Sequence, residues 1–307
     1  MGRLVSVVLV TWDSAPWLRR CLDAIARQTH GDVERIIIDN ASSDETLSIV
    51  PDAIRNSTNR GFSAAVNQAI ANAKGEFVQL VNPDAFLEPH YIERLLPAFD
   101  DPTVGMATGK LLREDGSGID SMGIRMTRTG RHLDITNGAP ASAGAPFEVF
   151  GVSGAAGMYR MSFLRDMAID GEIFDEDFFA YREDADIAWR GRLFGWRAMC
   201  VPAAVAHHVR RVTPEVRRSL PPEINMHSVK NRFLLRLKNE GAYLAMRNAP
   251  FELWRDLMAL GAALTIERTS LPAFGWLWRN RARILRKRRA TQSRRRVSDR
   301  QLARWFR

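Results

Sequence analysis

The residues with the most chemistry in this 307-residue chain are carboxylates stranded where apolar runs stop. In FVQLVNPDAFLEP (Phe77–Pro89) the run breaks at Asn82-Pro83-Asp84, and earlier runs break at Thr11-Trp12-Asp13 and at Asp39-Asn40. A hard divalent cation such as Mg²⁺ or Mn²⁺ takes carboxylate oxygens and fills its remaining positions from phosphates and water. One Asp at a strand end, with a phosphate-bearing substrate, would therefore suffice. An Asx-type turn ending a strand accounts for the same tripeptide. A second acidic group lies in FDEDFFAYREDADIAWR, where Glu183, Asp184 and Asp186 open a helical pattern. Acids at a helix start are favoured by its dipole alone; the chemical alternative is a carboxylate base beside a supporting acid. Glu172, Asp175, Glu176 and Asp177, just upstream, read as a solvated loop. His207 or His208, ending VPAAVAHH, could complete a metal site with Asp84 or simply be exposed. His30, His90, His132 and His227 show no partner pattern and read as surface residues.

These groups need elements to hold them. Leu4–Val10 is a continuous β-branched run, as for a strand buried on both faces. A helical pattern follows from Ser14, with Leu18, Cys21, Leu22 and Ile25 on one face. Val33–Ile38 reads as a strand, Ser43–Val50 as a short helix, Ala53–Asn56 as a short strand and Gly61–Ala73 as a helix. Phe77–Val81 is the next strand and Pro89–Phe99 the next helix. This alternation predicts an α/β fold with an open, mostly parallel sheet, and ligands of such sheets bind beyond the carboxyl ends of the strands. All three polar clusters lie there. Gly105–Phe150 reads as short strands and irregular loop, with Gly138–Pro146 mobile. Asn225–Asn239, Phe251–Ile266 and Trp276–Arg289 read as helical.

Composition narrows the classes. With 46% hydrophobic residues the chain can bury a real core. Its two isolated cysteines, Cys21 and Cys200, form no disulfide framework, which fits a reducing, cytoplasmic setting. The N-terminal apolar run reads as a first strand rather than a signal sequence. No segment reaches the roughly 18–20 apolar residues that span a bilayer; Leu257–Ile266 comes nearest and is closed off by Asp256 and Glu267. The net charge of +9 resides in Arg279–Arg307, where thirteen basic residues face one acid, Asp299. The remaining 31 basic and 34 acidic residues make the body slightly acidic, so it is not a nucleic-acid binder. GxGxxG after the first strand, GxxxxGK[ST], GxSxG and HExxH are all absent, which disfavours dinucleotide dehydrogenases, P-loop enzymes, α/β-hydrolases and zincins.

Taken in order, VSVVLVTWDS, IIIDNASSDET, NRGFSAAVNQAI, LVNPDAF, VSGAAGMYR, FFAYREDADIAWRGRLFGW and PAAVAHH resemble the family 2 glycosyltransferases with a GT-A fold. The resemblance covers roughly Ser6 to Asn239, and its NPD, VSGA and YREDAD forms look most like the rhamnosyltransferase-like branch. It implies a Rossmann-like open sheet with helices on both faces. The catalytic domain would span 1–240, with a donor part to about 110 and an acceptor and base part over 111–240, and residues 241–307 would form a helical, Arg-rich extension.

By the same resemblance, Thr11 and Trp12 would line the nucleobase pocket, Asp39 would accept from a pyrimidine ring, and Arg60 and Asn67 would lie near the donor. Asn82 would face the ribose and Asp84 would bind Mg²⁺ or Mn²⁺ on the diphosphate. Asp184 would be the catalytic base, with Glu183 and Gly154 at the acceptor. His208 fits the metal-site histidine, with His207 still open. Asn82 departs from the usual Asp-x-Asp, leaving Asp84 the one carboxylate of its motif, and Arg210-Arg211 stands where the family often has a glycine-rich turn.

The implied reaction is an inverting, metal-dependent transfer from a nucleotide-sugar (dTDP-rhamnose, or a UDP-sugar) to a glycan or lipid-linked acceptor of a cell-surface polysaccharide. The tail, with Trp276, Trp278, Ile284, Leu285, Trp305 and Phe306 among its arginines, resembles a segment that holds a peripheral protein to the anionic inner face of the cell membrane. Nucleic-acid binding and a solvated tail are the competing readings. A catalytically silent, membrane-bound scaffold of the same fold is the other functional class; the intact Asp39, Asp84 and Asp184 favour the enzyme.

Overall fold

The computed structural model describes residues 3–136, 144–209 and 222–307. Most of the expected mobile segment Gly138–Pro146, and all of Arg210-Arg211, lie outside the described residues. The first part of the chain alternates as its pattern predicts: β1 (Val5–Thr11), α1 (Ala15–Ala26), β2 (Val33–Asp39), α2 (Thr46–Ile49), β3 (Ile54–Arg55), α3 (Phe62–Asn72) and β4 (Phe77–Leu80). Then come β5 (Ala85–Leu87), α4 (Tyr91–Leu95), β6 (Val104–Arg113), β7 (Ile119–Ser121), β8 (Ile124–Met126), β9 (His132–Asp134), β10 (Phe147–Val149) and β11 (Met158–Arg160). The chain continues through α5 (Met161–Asp166), α6 (Glu183–Leu193), β12 (Arg197–His208), α7 (Pro222–Asn239), α8 (Ala242–Thr265), α9 (Pro272–Arg279), α10 (Arg281–Ser293) and α11 (Asp299–Leu302).

The main sheet runs in the order β10-β12-β6-β11-β4-β1-β2-β3. β3, β2, β1 and β4 are parallel neighbours, β6 and β12 are parallel to each other, and β11 is the antiparallel strand between the two groups. Alternate residues of β1 feed two cores, as the period of two requires. Val5, Val7 and Leu9 pack with α1 and α4 on one face, and Val8 packs with α3 on the other. Each of these side chains is essentially unexposed, and full burial of a Val or Leu is worth about 1.5–3 kcal/mol. The mostly parallel α/β sheet with helices on both faces is thus the fold that the pattern called for.

Local departures have local causes. The short helix expected from Ser43 starts only at Thr46, because the Asp13 carboxylate accepts from Ser43 N (2.7 Å) and holds residues 43–45 in a turn. The helix expected to run to Phe99 gives way at Leu96 to a 3₁₀ turn containing Pro97, whose ring cannot donate to the helical ladder. Acidic residues 175 and 177, expected in solvent, are buried, because Lys238 from α7 and Lys287 from α10 reach in to pair with them. The C-terminal helices also share the core beneath the sheet: Ile284, Leu302 and Phe306 belong to the cluster that holds Val8 and Trp189. Of the tail's apolar residues, Ile284 and Phe306 are therefore turned inward, and Trp305 packs edge-on to Phe150. Trp276 is half-buried beneath Lys230, while Trp278 and Leu285 remain exposed.

Candidate active site

Three strand ends define the floor. Thr11 and Asp39 are register partners at the ends of β1 and β2, both fully buried. Thr11 Oγ1 donates to Asp39 Oδ1 (2.9 Å), and Ser42 N and Oγ donate to the same carboxylate. Asp39 is fixed in place by these bonds. Beyond the strand ends opens a cleft of about 440 Å³, whose walls include Trp12, Asn40, Asn82, Asp84, Phe179, Tyr181 and His227. Trp12 is 54% exposed there, an aromatic face presented to the opening.

The break at Asn82-Pro83-Asp84 is a turn closed by main chain alone: Ala85 N donates to Asn82 O (2.9 Å), and Asn82 N donates to Ala155 O (2.9 Å). The Asp84 carboxylate is turned toward His208. β5, following immediately, pairs antiparallel with the end of β12, setting His208 opposite Ala85. His208 Nε2 stands 3.5 Å from Asp84 Oδ1, and its Nδ1 is 2.9 Å from the buried Asp120 Oδ2. Burial pulls the imidazole pKa down, but Asp120 and Asp84 outweigh it and raise it to about 9. His207, on the other face of the strand, meets Glu88 instead.

This donor set fits a hard divalent cation held jointly with a substrate. Asp120 anchors one imidazole nitrogen, which aims the other toward the Asp84 carboxylate. Among the described residues no group of three or more His, Cys, Asp or Glu side chains is placed to hold an ion. The remaining ligands would therefore come from phosphate and water. Asp120 could not be singled out from the sequence, since it lies in a short irregular strand far from either partner.

The second carboxylate group opens α6, as expected, and its members divide by environment. Asp186 is fully buried and committed to Arg190 Nε (2.8 Å), Asn239 Nδ2 (2.7 Å) and Lys238 Nζ (3.1 Å). Asp184 is half-buried; its Oδ2 accepts from Gly154 N (3.3 Å) and its Oδ1 from Ala185 N (2.7 Å). Glu183 is buried, and its Oε2 has no hydrogen-bond partner among the described residues. Burial, then the neighbouring Asp184, pushes Glu183 up to about 8. Burial, then Asp134, lifts Asp184 to about 6. Both carboxyls are thus held above the ordinary range by burial and by neighbouring acids, so the pair favours keeping a proton.

Gly154 and Ala155 join the two groups, one bonded to Asp184 and the next to Asn82. A Cβ on Gly154 would lie 3.7 Å from that of Asp184 and 3.9 Å from Glu183 Oε1, filling the space in front of both acids.

The loop leading into α6 is strained. Phe179, Tyr181 and Arg182 all have φ between +65° and +72°, conformations that cost non-glycine residues of order 1–3 kcal/mol each. Asn231 on α7 holds it, its amide nitrogen donating to the carbonyls of Phe178, Ala180 and Tyr181 at 2.8–2.9 Å. His227, one turn earlier, stacks on Phe179 with ring centroids 4.7 Å apart. His227 is therefore a wall of the cleft and not the surface residue its sequence context suggested; α7 returns over this loop, which no local pattern announces. Gly61 meets the same loop: at φ +83°, a Cβ there would come within 2.6 Å of the Phe179 ring.

Four expected donor residues are not among the cleft walls: the fully buried Thr11 and Asp39, and Arg60 and Asn67. Arg60 is exposed between Asn59 and Gly61, which do line it. The Asn67 amide is spent on the main chain of Phe174, donating to its carbonyl and accepting from its N–H, both at 2.8 Å.

Comparison with known proteins agrees with this geometry. The family model described as "Glycosyl transferase family 2" matches residues 6–167, more than half of the chain. An uncharacterised glycosyltransferase of Nostoc is 29% identical over 33% of this chain and 34% of its own length. The chain thus spans about a third of the length of that relative, and 31% of a Bacillus subtilis glycosyltransferase. An N-acetylglucosaminyl-diphospho-decaprenol L-rhamnosyltransferase of Mycobacterium tuberculosis is 28% identical over 68% of this chain and 77% of its own. Among solved structures, a mannosyltransferase of Pyrobaculum calidifontis in complex with GDP-Man and Mn²⁺ superposes with a TM-score of 0.55 at 20% identity. It covers 96% of this chain and 84% of its own. S. aureus TarS 1-349 in complex with UDP-GlcNAc does so with a TM-score of 0.59 at 18% identity, covering 94% and 90%.

Proposed function

The chain belongs to glycosyl transferase family 2, and from that premise we propose that it is an inverting transferase moving one sugar from a nucleotide-diphosphate donor to an acceptor hydroxyl. The observation that supports this reading is that Gly154 N bonds the Asp184 carboxylate while the next residue, Ala155, bonds Asn82, two residues before the Asp84 that faces His208. One end suits a diphosphate, the other a hydroxyl. Trp12 would stack on the nucleobase, with Thr11 and Asp39 fixing the pocket floor, Arg60 at its edge and Asn82 at the ribose. Asn67 would then act through the Phe174 loop and not by touching donor.

Asp184 would take the proton of the acceptor hydroxyl as that oxygen attacks the anomeric carbon. The bond to the diphosphate breaks on the opposite side, its electron pair leaving with the phosphate oxygen. One base and one displacement give inversion, as in inverting glycosidases. Glu183, with its unpartnered oxygen, would orient the acceptor. When bound at Asp84 and His208, Mg²⁺ or Mn²⁺ would neutralise charge gathering on the leaving group.

The mycobacterial relative favours dTDP-rhamnose as donor over a UDP-sugar, and a lipid-linked or growing cell-surface glycan as acceptor. A lipid carrier would place the enzyme peripherally at the inner face of the cell membrane. Assaying UDP-, dTDP- and GDP-sugars with Mg²⁺ or Mn²⁺ tests the proposal. Turnover is expected, highest with dTDP-rhamnose; silence with every donor would leave a non-catalytic scaffold of this family.

The pH profile follows from the carboxyl pair. A base must be ionised to accept a proton, so kcat should fall as pH drops through about 6. Asp134 raises Asp184 by like-charge proximity. Asp134→Asn should therefore move the acid limb to lower pH while the plateau holds. An unmoved limb would assign it to another group.

A further inference from the structure

Helix α8 is amphipathic in the wrong sense for water. Its inward side carries Leu244 and Ala263 but also Asn248 and Glu252, all buried, with Glu252 paired to Arg236 of α7 at 3.0 Å. Its outward side carries Met246, Leu253, Trp254, Leu257 and Leu264, each more than half exposed. Spacings of seven, four and seven put Met246, Leu253, Leu257 and Leu264 on one stripe, and Trp254 flanks it. Soluble surfaces rarely leave such a continuous apolar face uncovered, and where they do it marks an interaction site. Nothing among the described residues covers it.

Charge indicates what does. Just past the helix end, Arg268 is exposed, and the turn Arg268–Ser270 leads directly into α9. There Trp278 is 69% exposed with the Arg281 guanidinium over its ring at 4.4 Å, and Arg279 is exposed beside it. The acid nearest this face, Asp256, is turned inward to Arg236. An exposed apolar stripe followed along the chain by an exposed tryptophan and exposed arginines is the chemistry of a helix lying in a lipid interface. No helix among the described residues is long and apolar enough to cross a membrane, so the contact is one of surface, not span.

We propose that the outward face of α8, with Trp278 and its neighbouring arginines, docks this protein on an anionic phospholipid membrane. The contact lies on α8 and the start of the tail, whose later residues Ile284, Lys287, Leu302 and Phe306 are packed into the protein. The transferase reading supplies a purpose for it, but the docking surface stands on its own observations.

Sedimentation of the full chain with phosphatidylcholine vesicles containing about a third phosphatidylglycerol tests this. Leu253→Glu with Leu257→Glu should lower partitioning at least about tenfold, with circular dichroism and donor turnover unchanged. Arg279→Gln with Arg281→Gln should weaken binding to the anionic vesicles and leave the weaker binding to pure phosphatidylcholine unaltered. Equal partitioning of wild type and both variants, or no wild-type binding, overturns the proposal. So does a wild-type dimer in light scattering that the glutamate pair converts to monomer, since the face would then be a self-interface. Lost vesicle binding alongside intact sugar transfer would leave the transferase reading untouched, and the reverse result would reject that reading alone.

Discussion

Asp184→Asn is expected to lower kcat by about 10²–10⁴-fold while donor affinity stays near normal. The amide keeps the size of the carboxylate, and its one oxygen can still accept from Ala185 N, giving up only the longer bond from Gly154 N, so the start of α6 should persist. What it loses is basicity. Burial and Asp134 hold the native carboxyl at about 6, ionised at neutral pH yet basic enough to accept a proton as the hydroxyl attacks. Glu183 loses the like-charge push of Asp184 in this variant, but burial, the larger cause, still raises its carboxyl and disfavours its ionised form. The check is a steady-state comparison with isothermal titration of the nucleotide-sugar. Turnover within a few-fold of wild type would remove Asp184 from the mechanism, and a parallel loss of donor binding would make it a structural residue instead.

The largest expected effect on stability is at Lys238. Its ammonium is buried between Asp175 and Asp186, and Asp186 also holds Arg190. Burial alone would push Asp175 upward, but Lys238 and Lys287 hold its carboxyl well below the ordinary range. Lys238→Met fills the space and leaves two buried carboxylates short of a cation, which typically costs about 3–5 kcal/mol. The urea midpoint should fall accordingly with its slope unchanged. Arg286→Ala, which breaks only the exposed pair with Asp170, should cost under about 1 kcal/mol. Similar losses in the two variants would mean that the buried cluster contributes no more than a surface pair.

The sequence carries the first four strands of this molecule clearly and the later parts of the candidate site poorly, for a physical reason. β1 to β4 alternate with helices under local rules: β-branched runs, a Pro-started helix and polar strand ends. The polar residues Thr11, Asp39 and Asn82 lie at the strand ends where those rules put them. The rest of the candidate site is assembled from distant pieces. His208 reaches Asp84 only because β12 pairs with β5, and Asp120 enters from a short strand at the sheet edge. His227 and Asn231 act through a loop whose backbone adopts conformations that composition does not signal. Asp175 and Asp177 look solvated until lysines from two later helices cover them. The inverted face of α8 was legible as an apolar helix, but which side it would turn outward was not.

The lysine at position 287 has a consequence for how the molecule comes into being. It bonds to Glu172, Asp175 and Asp177, up to 115 residues upstream, in the segment that leads into the strained loop and Asp184. During synthesis at about 5–20 residues per second, those acids wait roughly 6–20 s for their cation to emerge. The nucleotide half can fold while the chain is still on the ribosome. The segment leading into α6, which would activate the acceptor under the proposed function, is not tied down by Lys287 until residue 287 has been made. A nascent chain would therefore acquire the means to hold an activated sugar well before the means to spend it, and a prematurely released one would remain catalytically mute.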